Sequence, residues 1–370
     1  MSNNHYICFI TNIGAHYRLP IFSHIEKNFD CSYYLGDKIK SPLKTFEYKE
    51  LDGYRGTLHN IFWGPFYWQK GSIRLINKNY QYYILDGEPF CLSSWCILLL
   101  AKLKGKKTIC WSHGWYGRET GIKKVIKKTF FSLFSKLMLY NEYSINLMEG
   151  LGFDRKKMFC IANSLDSDKE LLVRKNLHST DIYAFHFKNT NPTIIYCGRI
   201  QKRKKLEMLV DCVKVLNLDN IKTNLVIVGK DIDGVNLQDY AKKQGVENQL
   251  WMYGPCYDDR KIGELFYNAT VCVSPGNIGL TAIHALSFGC PAITHGNFPH
   301  QMPEFEAIRP GLTGDFFEQN QLDDLVRKVK KWIQQTPSER EITRKKAFEE
   351  IDNKWNIHHQ IDVLKQVIYG

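Results

Sequence analysis

The chain has 370 residues, of which 44% are hydrophobic and 24% charged. That composition excludes a largely disordered protein and suits two globular domains of about 150–200 residues each. Lys and Arg exceed Asp and Glu by 12, which favours a polyanionic partner: nucleic acid, an anionic membrane surface or a phosphorylated substrate.

In chain order, Met1 to Tyr6 carries no basic start leading into an apolar run, so no secretory leader is expected. β-Branched and aromatic runs predict strands at 6–11, 31–35, 80–85, 107–112, 137–140 and 158–162. Helical patterns fall between them at 19–28, 89–103, 122–135 and 142–149. The apolar stretch 90–101 is interrupted by Ser93 and Ser94 and is too short to span a bilayer. The polar segment 180–192, ending Asn189-Thr190-Asn191-Pro192, reads as a linker. Beyond it the grammar repeats, with strands at 193–197, 223–228, 250–253, 271–274 and 291–294. Helices follow at 205–216, 237–244, 258–268, 280–288 and 322–334. Such alternation predicts an α/β chain of two doubly wound, Rossmann-like domains, 1–185 and 190–350. The default site is then a cleft between them, at the carboxyl ends of the strands.

The eleven cysteines are scattered, without a CxxC pair. They read as reduced core thiols in a cytoplasmic protein, and no metal site is expected.

Three segments carry chemistry. Cys197-Gly198-Arg199 opens a strand-to-helix loop in which five of the seven residues 199–205 are basic. Backbone N–H groups, an Arg fork and Lys charges at such a loop suit a diphosphate. The second segment, Ser274-Pro275-Gly276-Asn277-Ile278-Gly279-Leu280-Thr281, leads into a helix carrying His284 and ends at Gly289-Cys290-Pro291. The third runs from Ile122 to Lys136. Its Lys123, Lys124, Lys127 and Lys128 share a helical face and apolar residues fill the others, a pattern suited to an anionic membrane surface. Residues 102–136 hold ten Lys/Arg against Glu119 alone. No aromatic-basic stacking surface or nucleic-acid module is seen, so nucleic acid is not the expected partner.

Residues 193–330 resemble glycosyltransferase family 4, whose fold is GT-B. The carriers are Gly198-Arg199 with Lys204, Val228-Gly229, Tyr253-Gly254-Pro255, the run from Ser274 to Pro291, and Glu306 with Gly311 and Gly314. The first half is similar more loosely, through Asn12-Ile13-Gly14-Ala15-His16-Tyr17-Arg18, Trp111-Ser112-His113-Gly114 and a last helix, 355–370, that would return to the first domain. The resemblance implies retaining transfer of a sugar from a UDP- or GDP-linked donor, with no essential metal and no other cofactor. The acceptor would be lipid-linked or a surface polysaccharide, at the inner face of the plasma membrane. It implies Arg199 and Lys204 at the leaving diphosphate and His113 at the donor sugar. Gly14, Tyr253, Gly276, Asn277, Ile278, Gly279, Leu280, Thr281, His284 and Glu306 would bind the donor, and His16 and Arg18 the acceptor. The chain departs from the family at three positions: Gly276 and His284 stand where members carry glutamates, and Lys205 where the loop lysine is usually followed by Gly. An epimerase, a phosphorylase, an inactive family member and, on charge alone, a nucleic-acid-binding protein remain the alternatives.

Overall fold

The computed structural model describes residues 6–40 and 43–370. Met1 to His5, on which the reading of a leader rests, lie outside the described residues. The chain forms two compact units, residues 1–166 with 357–370 and residues 167–356.

The strands of the first unit are β1 (Ile7–Thr11), β2 (Cys31–Gly36), β3 (Tyr54–Trp63), β4 (Phe66–Lys70), β5 (Tyr82–Asp86), β6 (Lys107–Ser112), β7 (Lys136–Leu139) and β8 (Met158–Cys160). They pair in the order β4-β3-β2-β1-β5-β6-β7-β8. All neighbours are parallel except the β3–β4 hairpin. Successive residues of β1 feed opposite cores, Ile7 and Phe9 one and Cys8 and Ile10 the other. A parallel strand covered on both faces reads as a continuous apolar run, which is why it is legible. The last helix, Ile357–Tyr369, buries Ile357, Ile361, Leu364, Val367 and Ile368 in the Ile7/Phe9 core.

The second unit holds β9 (Thr193–Cys197), β10 (Asn224–Val228), β11 (Leu250–Gly254), β12 (Val271–Ser274), β13 (Ala292–His295) and β14 (Gly314–Phe317). The order is β11-β10-β9-β12-β13-β14, all parallel.

The division between units falls at 166/167, upstream of the expected linker. Helices Ser167–Arg174 and Ile182–Phe187 belong to the second unit. Tyr183 is buried and its hydroxyl donates to Leu265 O at 2.6 Å, while Thr180 N donates to Asn268 Oδ1 at 2.9 Å. Polar composition thus conceals a docked segment. Among the described residues no helix is long and apolar enough to cross a membrane.

Candidate functional site

In the second unit the strand order reverses between β9 and β12, and in open α/β sheets the crevice at such a point takes ligands. Both segments singled out from the sequence leave the sheet there. Beyond Cys197, a turn at Lys202–Lys204 brings the Lys204 carbonyl against Gly276, whose N–H donates to it at 3.0 Å. Lys204 Nζ donates to Asn277 O. Thr281 Oγ1 ties the two loops by donating to Cys197 O at 2.8 Å. Burial, then Arg203 and Arg199, push the Lys204 amine down to about 8, against the pull of Glu304. Arg199 is exposed and, among the described residues, makes no ion pair. The crevice therefore presents two cations that a diphosphate would neutralise.

The loop 274–280 is held from below by residues that the sequence did not flag. Thr294 Oγ1 lies 2.9 Å from the carbonyl oxygens of Ser274 and Gly276. Gln301 is 3% exposed; its Oε1 accepts from Ile278 N at 3.0 Å and its Nε2 donates to Thr294 Oγ1 and His295 O. The Ile278 N–H is thereby engaged within the protein, so the donor contacts expected of the loop fall to Asn277, Gly279, Leu280 and Thr281, which are half-buried. Tyr253 stands on the edge strand β11, two strands from β9, with its ring 5.1 Å from Trp251.

Two expected donor contacts are occupied otherwise. Glu306 accepts from Lys354 Nζ at 2.9 Å, and Glu304, two residues earlier and 2% exposed, is the carboxylate whose field reaches Lys204. His284 turns to Glu170, with Nε2 3.1 Å from Oε1, and lies between the rings of Phe266 and Phe288. Burial pushes this imidazole down to about 4, so it is neutral at pH 7. Ser287 Oγ donates to Glu170 Oε2 at 2.8 Å. Glu170 is 5% exposed, and removing its carboxylate strands the Ser287 hydroxyl that donates to it. Glu170→Ala should lower unfolding stability by about 2 kcal/mol, read from urea denaturation; an unchanged midpoint would show that the pair carries no load.

The first unit has its own reversal, between β1 and β5. Here Arg18 is nearly buried: Nη2 donates to Tyr140 Oη at 2.9 Å, Nη1 is 4.0 Å from Asp86 Oδ1, and the guanidinium lies 4.9 Å from the Trp111 ring centre. Asp86 Oδ2 accepts from Thr11 Oγ1 at 2.7 Å and Asn12 N at 2.6 Å. The His113 ring sits 5.0 Å from Tyr140 and 6.2 Å from Tyr116. Burial, Arg18 and Lys127 push His113 down to about 4. His16 is exposed beside Tyr17. Gly14 is required by packing, since a Cβ there would meet the Tyr48 ring at 2.6 Å and the Phe46 ring at 2.9 Å. Structure thus gathers Arg18, His113 and Gly14 about one crevice and adds Asp86 and Glu88, unnoticed in the sequence. The signal available was Asp86-Gly87-Glu88-Pro89 directly after a buried strand.

The basic helix, Gly121–Ser132, also differs from expectation. Lys127 turns inward to Glu119 and over the rings of Trp115, Tyr116 and Phe131. Phe130, Phe131 and Phe134 are buried, and Lys136 Nζ donates to Val367 O at 2.8 Å. The face offered to solvent is shorter: Ile122, Val125 and Ile126 with Lys123, Lys124 and Lys128.

Two Rossmann-type units, each with a polar crevice at its strand reversal, define the GT-B fold. Residues 180–350 match the family described as glycosyl transferases group 1. A relative from Klebsiella pneumoniae, an uncharacterized 41.2 kDa protein in the cps region, is 24% identical over 275 residues, covering 74% of this chain and 66% of its own length. The fold is similar to the apo lipopolysaccharide outer core galactosyltransferase WaaB (TM-score 0.70, 15% identity, 98% of this chain and 99% of that one). It is also similar to Anabaena Alr3699/HepE in complex with UDP (TM-score 0.74, 13% identity, 98% and 99%).

Proposed function

We propose that the protein is a glycosyltransferase that takes a sugar from a nucleotide-sugar donor and acts in the building of a surface polysaccharide. The observation that carries this reading is the placement of Arg199 and Lys204 at the β9/β12 reversal, against the loop 274–281. Cations fixed there before reaction stabilise the charge that grows on a departing diphosphate. Retention at the anomeric carbon and catalysis without an essential metal complete the reading, with the two cations in the place of a metal. UDP is the preferred carrier, in keeping with the UDP bound by the similar HepE fold. In a thermal-shift panel, UDP and UDP-sugars should raise the melting temperature more than GDP compounds do, because a ligand of the native state stabilises it. No shift with any nucleotide would overturn the reading.

The acceptor is lipid-linked, and the enzyme docks on anionic membrane. Exposed Ile122 and Val125, at 75% and 62%, stand among Lys123, Lys124 and Lys128. The Trp95 ring packs 5.1 Å from Phe130, on the buried side of the same helix. Near an anionic surface each Lys contributes about 1 kcal/mol. Replacing Lys123, Lys124 and Lys128 together by Glu should abolish cosedimentation with phosphatidylglycerol vesicles and leave UDP binding intact. Equal sedimentation of variant and wild type would refute membrane docking by this face.

A further inference from the structure

We infer that Glu88 is an acceptor-binding residue: its carboxylate receives the hydrogen bond of an acceptor sugar hydroxyl in the crevice at the β1/β5 reversal of the first unit. This rests on the glycosyltransferase reading above and adds a residue to it.

Four observations converge on Glu88. It leaves the carboxyl end of β5, where a doubly wound sheet takes ligands. Two other charged groups there that could serve a hydroxyl are already engaged. Asp86 is held by Thr11 and Asn12, and Arg18 by Tyr140 and the Trp111 face. The backbone of Glu88 is fixed at both ends, its N–H donating to Asp86 O and its carbonyl accepting from Cys91 N, each at 2.9 Å. Its side chain is half-buried, yet among the described residues it makes no hydrogen bond or ion pair within the normal limits. A held backbone carrying a carboxylate with open lone pairs is a placed acceptor of hydrogen bonds. The rings of His113, Tyr116 and Tyr140 lie together at this end of the sheet, and a crevice that holds both aromatic rings and a carboxylate suits a sugar, which offers an apolar face and hydroxyl donors.

The charged groups that act on Glu88 are Asp86 from its own strand and Lys127 from the helix Gly121–Ser132. Burial first, then Asp86, raise its carboxyl to about 7, against the pull of Lys127. Below that pH the group is neutral and loses the charge that strengthens the bond it accepts. Acceptor binding should therefore strengthen as pH rises through 7.

The test uses the full-length enzyme, a radiolabelled UDP-sugar at saturation and the lipid extract of membranes as acceptor, held below saturation. Wild-type transfer should rise about tenfold from pH 6 to pH 8, as the ionised fraction does. In Glu88→Gln it should be at least tenfold lower at pH 8 and flat between those pH values, while Glu88→Asp recovers part of the rate and the slope. UDP should shift the melting temperature of Glu88→Gln and wild type equally. An inert wild type overturns the glycosyltransferase reading and this proposal with it. An active wild type whose pH profile and acceptor KM survive Glu88→Gln overturns the proposal alone. So does a variant that loses UDP binding, because Glu88 would then be structural or a donor group.

Discussion

Lys204→Met should cut turnover about 10²–10³-fold, the loss typical when one preorganised charge at a developing anion is removed, without lowering the melting temperature. The amine is buried beside Arg203 and Arg199, which is why it falls to about 8 from an ordinary 10.5. A lysine whose folded pKa is depressed binds its proton less well when folded than when unfolded. Between the two values stability rises with pH, and below about 8 the unfavourable charge is fully present. At pH 7 the lysine therefore costs stability, and the uncharged variant should melt no lower than wild type. The same logic fixes the pH dependence of donor binding. A diphosphate prefers the protonated amine, so UDP affinity should fall about tenfold from pH 7 to pH 9 in wild type and stay level in Lys204→Met. Titration calorimetry at both pH values checks this. A variant that keeps full turnover would remove Lys204 from the site. Arg199→Ala should lose turnover similarly.

Much of this arrangement was legible because parallel strands covered on both faces are continuous apolar runs. β1, β2 and β5 to β13 all lie where such runs predict them, within a residue or two. The hairpin of β3 and β4 was missed because it extends to the sheet edge, where exposure alternates and charged and polar residues such as Arg55, His59 and Lys70 intrude. The helices Ser167–Arg174 and Ile182–Phe187 were missed because their anchors, Tyr183 and Glu170, act on residues about a hundred positions away. In the candidate site, each of the two segments was legible as a loop that follows a strand end, and the family resemblance is what joined Arg199 and Lys204 to the loop 274–281. The distance to Gly314 favours Glu306, but the 3-10 turn Pro303–Ala307 buries Glu304 and leaves Glu306 to Lys354. A residue's side of a turn is set by tertiary packing, and no periodicity reports it.

That packing also decides the outcome of Gly276→Glu, which installs the carboxylate that the family resemblance expects. Donor affinity should fall at least tenfold, and transfer should fall about 100-fold. A Cβ on Gly276 would lie 2.5 Å from Arg203 O and 2.7 Å from Lys204 Cα. These are backbone atoms of the turn that carries the lysine, and they cannot swing aside as the end of a flexible side chain would. The Gly276 N–H also holds the Lys204 carbonyl at 3.0 Å. A side chain at 276 must therefore push the 202–204 turn away from the loop and take the amine with it. Overpacking of this kind costs about 1–3 kcal/mol, so the melting temperature should drop as well. Gly276→Ala separates the two causes, because it brings the steric clash without the charge. It should lose most of what Gly276→Glu loses in UDP affinity, measured by calorimetry at pH 7. If Gly276→Glu instead binds donor more tightly while Gly276→Ala is neutral, the two loops are not in the contact described and the missing carboxylate is a true vacancy. On the geometry observed, glycine at 276 and lysine at 204 form a matched pair, and the chain has taken a close loop-to-loop contact in exchange for the glutamate.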